Sequence, residues 1–219
     1  MKIGIIGAGH IGGTLTRRLC ELGHDVRVAN SRGRASLQEL ADETGATPVD
    51  VVDAALDAEI VIVTIPENKV PELPKGFLDG AAQNVVVIDT GNYYPQQRDG
   101  RIADIEDGMS ESRWVATQIG YPVVKAFNGI QWSHLLSFGK AKGELGRIAL
   151  PVAGDDHHAK KIVMELVDQL GFDPVDAGDL DDSWRQEPGT PVYGADLDVD
   201  GVRLALTEAI HLRSPAFRA

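Results

Sequence analysis

The chain opens with an apolar run, Ile3-Gly4-Ile5-Ile6, that leads without a break into Gly7-Ala8-Gly9-His10-Ile11-Gly12. This G-x-G-x-x-G spacing stands at the start of a segment with helical periodicity, and it constrains the fold more than any other feature. A strand must turn sharply into a helix there. Gly7 allows the tight turn, Gly9 leaves room for a pyrophosphate against the backbone, and Gly12 lets the helix lie close to the sheet. The first N–H groups of such a helix lack partners and carry partial positive charge, so they suit an anion. With these glycines, His10 and Ile11 are candidate contacts for a dinucleotide.

Five further apolar runs follow: Val26–Ala29, Ile60–Val63, Val85–Ile88, Val123–Phe127 and Ile148–Val152. Most are β-branched and near-continuous, the pattern of strands covered on both faces. Between them, Ile11, Leu15, Leu19 and Leu22 share a helical face that ends at Gly23. Ala35–Thr44 predicts a second helix ending at Gly45, and Ser110–Ile119 a third, with Ser110 as N-cap and Gly120 as its stop. His157–Leu170 reads as one helix ending at Gly171, Phe172–Asp176 as a short strand, and Val202–Leu212 as a last helix after a polar tract from Gly178 to Gly201. Strand and helix in alternation predict an α/β fold: a doubly wound, mostly parallel sheet of the Rossmann kind with a small C-terminal extension.

Charge supports a division near Pro151. Residues 1–150 hold 15 basic and 19 acidic side chains, and residues 151–219 hold 6 and 14. The expected units are therefore 1–150, a dinucleotide-binding domain, and 151–219, an extension that completes an acceptor pocket or makes dimer contacts. A net charge of −12 argues against nucleic acid as a partner. No apolar stretch is long enough to cross a membrane. The glycines interrupt the first apolar run too early for a signal peptide, so a cytoplasmic protein is expected. The lone Cys20 excludes a disulfide framework.

The segment after the second run, Asn30-Ser31-Arg32-Gly33-Arg34, decides which dinucleotide fits. An NAD site usually carries a carboxylate here for the ribose 2′-hydroxyl. This one has none. Ser31 offers a hydroxyl, Arg32 a fork for a 2′-phosphate, and Arg34 a second positive charge, so NADP(H) is the expected cofactor. Ligands of such sheets lie at the carboxyl ends of the strands. Thr64-Ile65-Pro66 and Ala126-Phe127-Asn128 occupy two of these ends, Thr64 and Asn128 being polar groups within reach of a nicotinamide and Ile65 and Ala126 an apolar floor. Hydride transfer between stacked rings needs neither a nucleophile nor a metal, and no catalytic residue and no metal ligand is assigned.

Taken together, GAGHIGGTL, the ANSRG loop, VTIP, VVKAFN and the stretch from Gly154 to Gly178 resemble the coenzyme F420-dependent NADP reductases. They are also similar to the cytoplasmic oxidoreductase domain of the STEAP metalloreductases. The resemblance implies hydride transfer between NADP(H) and a flavin-like small molecule, F420 or FMN or FAD. It implies Ser31 and Arg32 at the 2′-phosphate, Thr64, Ile65, Pro66, Ala126 and Asn128 around the nicotinamide, and a homodimer. The 183–193 tract departs from the archaeal F420 enzymes, and residues 171–200 hold nine acidic side chains against Arg185 alone, sparse positive charge for an F420 tail.

Two other functions compete. A carbonyl or imine reductase needs a proton donor, for which Lys125 is the candidate, although at a strand end such a lysine more often forms an ion pair. A non-catalytic NADPH sensor needs none. Trp184 and Tyr193 can serve as a lid over a planar acceptor or as anchors for the C-terminal arm, anchoring being favoured. His134 lies near the same edge. His157 and His158 point about 100° apart on a helix, which disfavours a shared metal.

Overall fold

The computed structural model describes residues 1–219. Six strands, β1 (Lys2–Ile6), β2 (Asp25–Ala29), β3 (Thr47–Pro48), β4 (Ile60–Val63), β5 (Val86–Asp89) and β6 (Val123–Lys125), form one parallel sheet in the order β3-β2-β1-β4-β5-β6. Strand order reverses between β1 and β4, so their connections diverge and open a crevice at the carboxyl edge. The near-continuous apolar runs are explained by two cores. Ile3, Ile5, Val28 and Ile62 face one core with Leu15 and Leu19 of α1 (His10–Glu21) and Val163 and Leu166 of α7 (His157–Gln169). Ile6, Ala29, Val61 and Val63 face the other with Ala54 of α3 (Val51–Ala55) and Trp114 of α5 (Glu111–Ile119). Complete burial of Leu15 and Leu19 contributes about 1.5–3 kcal/mol each to docking α1. Gly4 is the seat of α3, since a Cβ there would lie 2.1 Å from the Ala54 carbonyl oxygen.

The sixth apolar run stays out of the main sheet. It forms β7 (Ala149–Val152), which pairs with β8 (Asp173–Asp176) in a separate two-stranded parallel sheet. The edge of β6 is closed where Lys125 exchanges backbone hydrogen bonds with Ala153 at 2.8 and 3.1 Å. Apolar continuity reports burial and not which edge a strand joins. The largest core cluster runs from Ile3 to Phe172, across both sheets. β8 lies where a strand was expected. Leu22 is exposed rather than on the buried face of α1, because it is already the C-cap residue, one place before Gly23.

The second helix begins as a 3-10 turn at Arg34–Leu37 before α2 (Gln38–Thr44). Two short helices, α4 (Ala103–Glu106) and α6 (Trp132–Ser137), flank the carboxyl edge. The last helix, α8 (Val199–Glu208), starts and stops earlier than its apolar pattern suggested. Asp198 caps it by accepting from the Gly201 N–H at 2.9 Å, and Ile210 and Leu212 lie beyond it, exposed.

Candidate functional site

At the switch between β1 and β4, the glycine turn is held by close contact. Gly7 has φ 110°, open to glycine but rarely to other residues. The Thr64 hydroxyl donates to the Gly7 carbonyl at 2.8 Å. A Cβ on Gly12 would lie 1.9 Å from that same carbonyl oxygen and 2.5 Å from Thr64 Oγ1. Thr64 is thus a brace of the turn, and its hydroxyl does not stand free for a nicotinamide. A Cβ on Gly9, by contrast, would meet nothing within 4 Å. Above it, Gly9, His10, Gly13, Arg32, Ser36 and Trp132 line part of an open cavity of about 650 Å³. His10 stacks on Trp132 with ring centres 5.0 Å apart. Ile11, half-buried, packs against the larger core.

The loop after β2 is organised by Asn30. Its Oδ1 accepts from the Arg32 N–H at 2.9 Å, and its Nδ2 donates to Ser36 Oγ at 2.9 Å. Ser36 Oγ in turn donates to the Gly33 carbonyl at 2.8 Å. Asn30 therefore shapes the loop with its own side chain, while Ser31 and Arg32 stand exposed at its tip. Arg32 lines the cavity, as do Arg17 and Glu39, and forms no ion pair. Arg34 differs: one guanidinium nitrogen bonds Asp50 at 2.6 Å and Asp53 at 2.8 Å. The hydrogen bond to Asp50, with the charge of both carboxylates, holds Arg34 above the usual arginine value. The second positive charge expected for a 2′-phosphate is already neutralised.

At the β4–β6 end, Ile65 and Pro66 are half-buried beside the crevice. Ala126 has no exposed surface and lies in the core, so it forms no open floor. Asn128 is also withdrawn. Its Nδ2 donates to Asn92 Oδ1 at 3.1 Å and to the Gln186 carbonyl at 2.7 Å, and its Oδ1 accepts from Gln186 Nε2 at 2.9 Å. Phe127 has φ 64°, and this left-handed turn directs the chain after β6 into the amide knot. The reason for both departures is the 180–187 segment, which packs over the end of β6 and supplies partners that no local pattern announces.

Beneath this edge lies a buried charge cluster that the motifs did not disclose. Lys125 is fully buried, its Nζ donating to the Gly91 carbonyl at 3.0 Å and lying 3.8 Å from Asp89 and 3.6 Å from Glu111. Arg98 bonds Glu67 at 2.9 Å and Asp99 at 2.9 Å. Arg213 bonds Glu111 at 3.0 Å and Glu187 at 2.5 Å. Ser112 Oγ donates to Asp89 at 2.6 Å. Burial, then the charge of Glu187, pushes the Glu111 carboxyl from 4.5 to about 8, against the pull of Lys125 and Arg213. Burial, then Glu111 and Asp89, holds Glu67 well above the carboxylate range. Burial opposes the charge of Lys125, but Asp89 and Glu111 outweigh it and hold the ammonium above its ordinary value. Lys125, itself without exposed surface, is the core of this ion cluster. The available sequence signal was the pair of opposite charges, Asp89 and Lys125, ending two adjacent buried strands.

The aromatic residues of the C-terminal part act as anchors. Trp184 stacks on His211 at 4.3 Å, and the Tyr193 hydroxyl is hydrogen-bonded to that of Tyr94. Burial, then Tyr94, raises the Tyr193 phenol above its usual value. His134 stacks on Phe138 at 4.4 Å and lies 2.7 Å from Asp196. Asp156 caps α7 by accepting from the N–H groups of His158 and Ala159. The structure thus brings Gly9 and His10 of the glycine turn together with Arg32 around one cavity, leaves Ser31 exposed beside Arg32 and Ile65 and Pro66 half-buried after β4, and gives Arg34 and Asn128 to other partners and Ala126 to the core.

Residues 2–93 match the family model described as NADP oxidoreductase coenzyme F420-dependent. The protein SMa0349 from Sinorhizobium meliloti has a crystal structure 30% identical in sequence. It superposes with TM-score 0.76 over 90% of this chain and 95% of that one. An Arthrobacter sp. FB24 protein assigned as an F420-dependent NADP-reductase, 23% identical, superposes with TM-score 0.65 over 82% of this chain and 85% of that one, which bears on fold alone. The 3-sulfolactaldehyde reductase of Escherichia coli K12 is 32% identical over 109 residues, 48% of this chain and 36% of that relative. The chain thus spans about a third of that curated relative's length. No helix is long and apolar enough to cross a membrane.

Proposed function

This chain belongs to the family of coenzyme F420-dependent NADP oxidoreductases, and on that premise we propose that it passes hydride between NADP(H) and a flavin-like ring, F420 or FMN or FAD. The observation that carries the cofactor reading is the Arg32 guanidinium. It lies without a carboxylate partner on the same cavity as Gly9 and His10, behind a strand end that lacks the acidic residue of NAD sites. When bound, the nicotinamide supplies the hydride. The N–H groups that open α1 hold the diphosphate over the open space at Gly9. Ser31 and Arg32 hold the 2′-phosphate, and Ile65 and Pro66 lie beside the nicotinamide, orienting it and keeping water from one side.

The 3-sulfolactaldehyde reductase relative favours a second reading, carbonyl or imine reduction. Such a reaction needs a proton donor at the substrate, and Lys125 is sealed against Gly91, Asp89 and Glu111. A stopped-flow screen separates the readings. NADPH oxidation with F420, FMN or FAD supports the proposal, turnover with ketoacids or imines alone refutes it in favour of the second, and binding without any turnover identifies a sensor. Residues 1–150 as the nucleotide-binding unit and 151–219 as the part completing the acceptor pocket or a homodimer contact belong to the same proposal. The exposed Leu204, Ile210 and Leu212 support it, and light scattering tests the dimer.

A further inference from the structure

The buried cluster below the β4–β6 edge holds more carboxyls than cations. Glu67, Asp89, Asp99, Glu111 and Glu187 are all buried. Against them stand three cations, each shared between two carboxyls: Arg98 by Glu67 and Asp99, Lys125 by Asp89 and Glu111, Arg213 by Glu111 and Glu187. Two carboxyl oxygens in the cluster are buried without a hydrogen bond: Glu67 Oε1, and Glu111 Oε2, which has only the Lys125 ammonium 3.6 Å away. Glu67 is pressed against the chain after β5, since a Cβ on Gly91 would lie 2.3 Å from its Oε1. A buried anionic oxygen without a donor is costly, and two acids in one site release their protons in steps that belong to the pair.

We propose that Glu67 and Glu111 form a proton-holding pair in the resting protein, and that this pair gives up a proton when a nicotinamide beside Pro66 becomes cationic. The inference rests on the cofactor reading above, because Glu67 directly follows the residues assigned to the nicotinamide. Around the pair stand Asp89 from β5, Lys125 from β6, Arg98 and Asp99 from the turn after β5, and Glu187, Tyr193 and Arg213 from the C-terminal part. Arg98, which bonds Glu67, is half-exposed, so this edge of the cluster borders bulk water, the acceptor of the released proton; the guanidinium itself stays protonated. The step is a simple ionisation: a carboxylic acid becomes a carboxylate and the proton goes to solvent. No electron moves within the cluster. By linkage, a cation that favours the ionised pair is itself bound more tightly by it, so the oxidised dinucleotide gains affinity with rising pH and the reduced one does not.

The test uses the intact protein and two nucleotides. Infrared difference spectra between wild type and Glu67→Gln, and between wild type and Glu111→Gln, are expected to show loss of a protonated carboxylic acid band at neutral pH. In weakly buffered solution, wild type is expected to release a proton on binding NADP⁺ and none on binding NADPH, and Glu67→Gln to lose that release while still binding both. Absence of the acid band in both difference spectra overturns the proposal, as does equal proton release with the two nucleotides. Retention of wild-type release in Glu67→Gln, the isosteric variant, also overturns it. If neither nucleotide binds at all, the coupling is overturned together with the cofactor reading. If both bind and only the release is missing, the cofactor reading stands and the coupling alone fails.

Discussion

Two glycines of the same turn are expected to fail in opposite ways. A methyl on Gly12 would place carbon 1.9 Å from the Gly7 carbonyl oxygen and 2.5 Å from Thr64 Oγ1. The first of these is backbone, so helix and strand must separate by about 1 Å or more. Such overpacking costs up to about 3 kcal/mol, and alanine's preference for the helix offsets about 1 kcal/mol of it. The net loss of roughly 2 kcal/mol lowers the melting temperature by roughly 4–8 °C for a chain of this size. Gly9→Ala meets no atom within 4 Å, and Gly9 has φ −75° and ψ −161°, which alanine adopts freely. Its melting temperature should stay within about a degree of wild type. Its methyl, however, enters the space proposed for the diphosphate, and affinity for NADPH should fall by roughly tenfold or more, about 1.4 kcal/mol. Calorimetric melting and titration with NADPH in one buffer measure both quantities. A Gly9→Ala protein that binds NADPH as tightly as wild type refutes the placement of the diphosphate on this turn.

Arg32→Ala should weaken NADPH by roughly 10- to 100-fold, the worth of charge-assisted bonds of about 1.5–3 kcal/mol, and leave NADH nearly unchanged in parallel titrations. Arg34→Ala, whose charge is taken up by Asp50 and Asp53, should leave the ratio of the two affinities as it is. Lys125→Met leaves Asp89 and Glu111 buried without their shared cation, and urea unfolding should register a loss of roughly 3–5 kcal/mol. Glu111, raised from 4.5 to about 8, holds a proton in the folded state that the unfolded chain has released between those values. Its contribution to stability therefore falls as pH rises from about 4.5 to about 8 and is level above. Urea unfolding at pH 6 and pH 9 should show a smaller decline in Glu111→Gln than in wild type, and an unchanged decline would show that Glu111 does not hold this proton.

Much of the architecture was legible because it is local. The G-x-G-x-x-G turn, the β-branched runs and the glycine stops at Gly23, Gly45, Gly120 and Gly171 each express a backbone or burial requirement within a few residues, and the parallel sheet with its reversal beside Gly7 follows from them. The absence of a carboxylate after β2 and the exposed Arg32 are equally local. What tertiary structure decided depends on segments distant in the chain. Gln186 closes on Asn128, Ala153 blocks the edge of β6 and leaves β7 outside the main sheet, Asp50 and Asp53 capture Arg34, and Arg213 reaches back to Glu111. The charge of a buried side chain is set by every group that shares its low-dielectric surroundings, and sequence spacing carries no record of which groups those are.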